Sequence, residues 1–137
     1  MNDVDFVLVR RLVRAYAPPG VFAVYHGLGL RKIRKYPPAE YLDERLRGNS
    51  DREESDAYNF GRLRYFVDRL LAGEELDPII VDNRCGFGCI YPEPIVIDGH
   101  HRLWSYLIAR RQRIPVAYSG RVDVLDYLTG KRARMPG

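Results

Sequence analysis

The chain has 137 residues, 46% of them hydrophobic and 29% charged, which suits one domain with one core. A disordered tail, a collagen-like repeat and a disulfide-packed miniprotein are excluded, and no apolar run nears the roughly 20 residues that span a bilayer. The net charge of +4 is uneven: residues 1–39 hold 7 basic and 2 acidic groups, residues 40–82 hold 6 and 12, and residues 83–137 hold 9 and 4.

In chain order, residues 3–16 place Val4, Val7, Leu8, Leu12 and Ala15 at helical spacing, and Pro18-Pro19-Gly20 ends that helix. Its acidic start, Met1-Asn2-Asp3-Val4-Asp5, is no signal peptide, so a cytoplasmic location is expected. Residues 21–25 read as a short strand, Arg31-Lys32-Ile33-Arg34-Lys35 as a basic loop, residues 39–47 as a short helix and residues 48–57 as a polar loop. Residues 58–72 form the clearest amphipathic helix, with Phe60, Leu63, Phe66, Val67, Leu70 and Leu71 on one face and Gly73 as its stop.

Residues 77–82, opened by Asp77-Pro78, predict a strand; residues 89–91 and 94–98 predict two further extended segments. Residues 100–111 are helical, with Leu103, Trp104, Leu107 and Ile108 on one face; residues 113–118 form another strand and residues 121–129 a closing helix. The tail Lys131-Arg132-Ala133-Arg134 is expected to fray. Helices alternating with short strands predict a small α/β (α+β) domain, a mixed sheet with flanking helices, over the whole of 1–137.

Cys85 and Cys89 bracket the loop Cys85-Gly86-Phe87-Gly88-Cys89. One C-x3-C with a distant His pair falls short of the paired spacings of a zinc site, so no protein metal cluster is expected.

The informative segment is Ile95-Val96-Ile97-Asp98-Gly99-His100-His101-Arg102-Leu103, a strand running through a tight turn into a helix. Gly99 permits close approach of a ligand to the backbone, and a helix start offers unpaired N–H donors to an anion. Arg102 adds a fork that grips phosphate oxygens in two places, and His100 and His101 can donate hydrogen bonds and titrate near neutrality. Asp98 could cap the helix, hold a histidine tautomer or meet a cation. Taken together, the run points to an anion site at Gly99, His100, His101 and Arg102.

Residues 58–118 resemble the ParB/sulfiredoxin superfamily, the ParB-like nuclease domains. The match lies in the order of parts: a helix ending at Leu71, the strand Pro78-Ile79-Ile80-Val81, a hairpin, the strand ending at Asp98, the turn Gly99-His100-His101-Arg102 at the family's Gly-x-x-Arg position, a helix, and Ile114-Pro115-Val116. Residues 1–57 then stand as an N-terminal helical and loop extension. The resemblance implies a phosphate site at that turn and a nucleotide ligand: ATP in sulfiredoxins, CTP in chromosome-partition ParB proteins, ADP in a free serine kinase. His100 stands where sulfiredoxins carry a reactive cysteine, so sulfinic-acid repair is not expected. The 19 residues after Tyr118 leave no room for the DNA-reading domains of partition proteins. The Asp-Gly-His-His-Arg form is nearest in character to the kinase-like members.

Three functions are therefore open. The first is a nucleotide-dependent phosphotransferase or NTP hydrolase, with Asp98, His100 and His101 catalytic, Glu74 and Glu75 as accessory acids, and Mg2+ brought by the nucleotide and met by Asp98. The second is a DNA-binding module or nuclease, resting on the basic segments and the 10 tyrosines. The third is a catalytically silent adaptor that binds an unknown protein.

Overall fold

A computed structural model describes residues 4–16, 28–40, 52–84 and 90–136. Among these, β1 (Asp5–Leu8) and α1 (Val9–Tyr16) are followed by α2 (Leu30–Ile33) and the long α3 (Arg52–Leu71). Then come β2 (Ile79–Arg84), β3 (Ile90–Asp98), α4 (His100–Ile108), β4 (Arg113–Ser119) and α5 (Val122–Thr129). The strands lie in the order β1-β4-β2-β3. β2 and β4 are parallel, and each has an antiparallel outer neighbour. The described residues form a compact α/β domain, a four-stranded mixed sheet flanked by five helices.

The core follows from the two periodicities. Val7, Ile79, Val81, Val96, Ile114 and Val116 point from one sheet face onto Leu12 of α1, Leu63 and Val67 of α3, and Leu103 and Trp104 of α4, all of them buried. Val124 and Leu128 of α5 complete the cluster.

The first predicted helix begins instead as a strand. Its apolar spacing fits a helix from residue 3, but Asp5–Leu8 pairs with β4, with Val7 buried opposite Ile114. β-branched and aromatic residues such as Phe6 and Val7 suit an open sheet edge, and the pairing partner overrides local spacing. The N-terminal segment is thus part of the sheet, beyond a helical and loop extension.

The expected loop over 48–57 is helical from Arg52, so α3 starts six residues before residue 58. Arg, Glu and Ala form helices well, and polarity alone does not signal a loop. At its far end, Gly73 (φ +90°) lets its N–H reach the Leu70 carbonyl and the Glu74 N–H reach the Arg69 carbonyl, the left-handed stop expected there. The two extended segments predicted at 89–91 and 94–98 are one strand, β3. The tail is tied down where fraying was expected: the Arg11 guanidinium donates to the Arg132 carbonyl at 2.7 Å, the Arg132 N–H reaches the Asp126 carbonyl, and Met135 packs on the core. The strand expected at 21–25, most of the helix at 39–47 and the cysteine loop 85–89 lie outside the described residues.

Candidate phosphate-binding site

β3 is antiparallel to β2, with Asp98 opposite Ile80, so the Asp98–Arg102 turn lies beside the start of β2. Gly99 (φ +107°) is the N-cap of α4. A Cβ there would lie 2.4 Å from Ile79 Cγ2 and 2.8 Å from Ile79 Cβ. Both backbone angle and packing therefore demand glycine, and the close approach it permits is to Ile79 of β2.

Asp98 does not cap the helix. Gly99 holds the cap position with no side-chain cap bond, and the Asp98 carboxylate pairs with Arg102 Nη2 at 3.3 Å. The first bond within α4 runs from the Leu103 N–H to the Gly99 carbonyl, so the amides before it have no acceptor inside the helix.

Arg102 faces two ways. Its Nη1 donates to the carbonyls of Asp77 (2.9 Å) and Pro78 (3.1 Å), fastening the turn to the chain that enters β2. The same guanidinium lines a cavity of about 280 Å3 with Arg62 and Arg69 of α3, and Glu75 and Asp77 lie on its wall. Arg62 stacks on the Phe66 ring, 4.6 Å from its centroid, and donates to the carbonyls of Ala39 and Glu40. Arg69 donates to the Tyr65 hydroxyl at 2.6 Å and pairs with Glu74 at 3.3 Å. Even so, the Nε–H of Arg62 and that of Arg69 are buried with no hydrogen-bond partner. Of the two accessory acids, Glu75 is on the cavity wall, while Glu74 is the partner of Arg69.

The two histidines diverge, as neighbours on a helix must. His101 turns inward: its Nε2 bonds Asn59 Oδ1 at 3.0 Å and its ring meets Tyr58 edge-on. Burial, helped by the nearby Arg62 charge, pushes its pKa down to about 4. It does not titrate near neutrality, contrary to the sequence expectation, and is a neutral imidazole at pH 7. His100 bonds the Tyr16 hydroxyl at 2.5 Å. Burial lowers its pKa as well, against the opposing pull of Asp98, while burial raises that of Tyr16.

Of the five predicted residues only Arg102 lines the cavity; Asp98 is tied to it through its ion pair with Arg102, His100 bonds Tyr16 of α1, and His101 bonds Asn59 of α3. Arg62, Arg69, Asn59 and Tyr16 were not legible as members of this site. Arg62 and Arg69 are seven residues apart on the polar side of the predicted helix, a spacing that could have paired them. Nothing local marks Tyr16 or Asn59. Among the described residues no group of three or more His, Cys, Asp or Glu is arranged to hold a metal ion, and no helix is long and apolar enough to cross a membrane. No family model matches the chain, and neither a curated protein nor a solved structure does.

Proposed function

We propose that the chain is a nucleotide-binding protein of the ParB/sulfiredoxin type, holding nucleotide phosphates between the Asp98–Arg102 turn and α3. The observation that carries this is the convergence of the Arg62, Arg69 and Arg102 side chains on one cavity. Three guanidinium groups brought together repel one another, and a polyanion between them would relieve that repulsion. Guanidinium forks match phosphate oxygens better than ammonium groups do. The cavity suits the phosphate chain, with sugar and base outside it.

Phosphoryl transfer requires chiefly that charge be positioned and neutralised, which three arginines accomplish. Glu75 and Asp77 offer the carboxylate oxygens that a phosphate-borne Mg2+ would meet, and Asp98 adds a third carboxylate at the turn. Such an ion would neutralise phosphate charge. Asp98, with two-thirds of its side chain exposed, is the group best able to accept a proton from an incoming hydroxyl or water. His100, bonded to Tyr16, joins the turn to α1. His101 positions α4 against α3 through Asn59 and transfers no proton.

The test is calorimetric titration of ATP, ADP and CTP, with and without Mg2+, into the wild type and Arg69→Ala. Wild type is expected to bind at least one of them, and Arg69→Ala to bind it roughly tenfold or more weakly, about 1.4 kcal/mol. Absence of binding at millimolar nucleotide overturns the reading.

A further inference from the structure

On the face formed by the end of α4, two arginine pairs about a hundred residues apart in sequence meet. Arg10 and Arg11 of α1 and Arg110 and Arg111 after α4 line a cavity of about 780 Å3. It adjoins a second cavity of about 720 Å3 lined by Leu28, Leu30, Leu71, Leu107 and Ile108, and Leu107 and Arg110 belong to both. Among the described residues no acidic side chain lines either cavity. The result is one groove, cationic at one end and aliphatic at the other.

The four arginines are not equivalent. Arg11 is held by the carbonyls of Tyr127 and Arg132, and Arg111 by the Leu70 carbonyl and the Tyr106 ring. Arg10 and Arg110 are exposed, and among the described residues their side chains make no hydrogen bond or ion pair.

Arg110 also has a backbone that arginine does not favour. Its φ is +58°, the one positive φ at a non-glycine position among the described residues. It ends α4 by the same pattern with which Gly73 ends α3: the Arg110 N–H reaches the Leu107 carbonyl and the Arg111 N–H reaches the Tyr106 carbonyl. That geometry is why α4 stops at Ile108, short of the predicted residue 111. Glycine would adopt it without the steric cost that a side chain adds. An arginine here bears strain for its fold, and among the described residues its guanidinium makes no hydrogen bond or ion pair in return, which points to a role for the side chain outside the domain.

We infer that this groove docks an acidic protein segment carrying large aliphatic side chains. Carboxylates would meet Arg10 and Arg110, and the aliphatic groups would fill the Leu28–Leu107 end. Single-stranded nucleic acid would match the charge, but its bases need aromatic platforms, and among the described residues neither cavity has one.

The experiment pans a random peptide library displayed on phage against the full chain, then titrates a selected peptide into wild type, Arg110→Gly and Arg10→Ala. Selected peptides are expected to be enriched in Asp or Glu together with Leu, Ile or Phe. Arg110→Gly is expected to bind roughly tenfold more weakly while melting at or above the wild-type temperature, so that lost binding is not lost folding. Arg10→Ala, a surface change on α1, provides the same comparison. Failure to enrich such peptides, or wild-type affinity in both Arg110→Gly and Arg10→Ala, overturns the proposal. So does an oligo-dT strand that binds the groove where the peptides do not, which would assign it to nucleic acid.

Discussion

Arg102 Nη1 donates to the Pro78 carbonyl at 3.1 Å, so the residue at the centre of the proposed phosphate site also pins its own turn to the start of β2. A lysine keeps the charge but cannot bond the Asp77 and Pro78 carbonyls and Asp98 in one plane. Arg102→Lys should cost about 1–2 kcal/mol in urea unfolding and weaken nucleotide binding too. An unchanged urea midpoint would show that the clamp contributes nothing to the fold.

Gly99 and Gly73 separate two costs of replacing glycine. Both have positive φ, but a Cβ at Gly99 would run into Ile79, while one at Gly73 meets nothing within 4 Å. Gly73→Ala should therefore lose about 1–2 kcal/mol from backbone strain alone. Gly99→Ala should lose about 2–4 kcal/mol, because Ile79 or the turn must also move. Equal midpoints for the two variants would mean that the Ile79 contact relaxes freely.

Stability should fall in mild acid because of His101. Its proton affinity corresponds to a pKa of about 4 when folded and 6.5 when unfolded. Between pH 6.5 and 4 the unfolded chain takes up a proton that the folded chain refuses, so the folded state loses ground as pH drops. The loss from this site is about 2–3 kcal/mol across that window and is absent above it. His101→Gln should flatten the dependence in part, leaving the smaller contribution of His100, whose pKa is lowered in the same direction. Urea midpoints at pH 7 and pH 4.5 measure both.

Asn83 is fully buried at the far end of β2, where its Oδ1 accepts from the Tyr118 hydroxyl and from the Arg121 N–H at 3.2 Å. Truncation opens a void and leaves the Arg121 N–H without this acceptor. Asn83→Ala should cost about 2–3 kcal/mol in thermal or urea unfolding, and Tyr118→Phe less, since that hydroxyl also reaches the Arg121 carbonyl. The reverse order would make Tyr118 the anchor of this corner.

Local pattern determined much of this protein. The amphipathic spacing from Phe60 to Leu71 marked the helix that covers the sheet, and Asp98-Gly99-His100-His101-Arg102 after an apolar strand marked the turn. Glycine at 73 marked a stop whose hydrogen bonds are those expected. These features depend on neighbours within a few residues, so sequence order contains them. Tertiary structure decided the rest. Phe6 and Val7 became a strand because β4 offered them an open edge, and residues 52–57 became helix as a continuation of α3. Arg62 and Arg69 joined Arg102 only when α3 packed against α4. His101 became a neutral, half-buried ring because α3 packed against it and Asn59, 42 residues earlier, bonds its Nε2. Charge and proton affinity depend on what a side chain meets and how much solvent remains, and those partners lie far away along the chain.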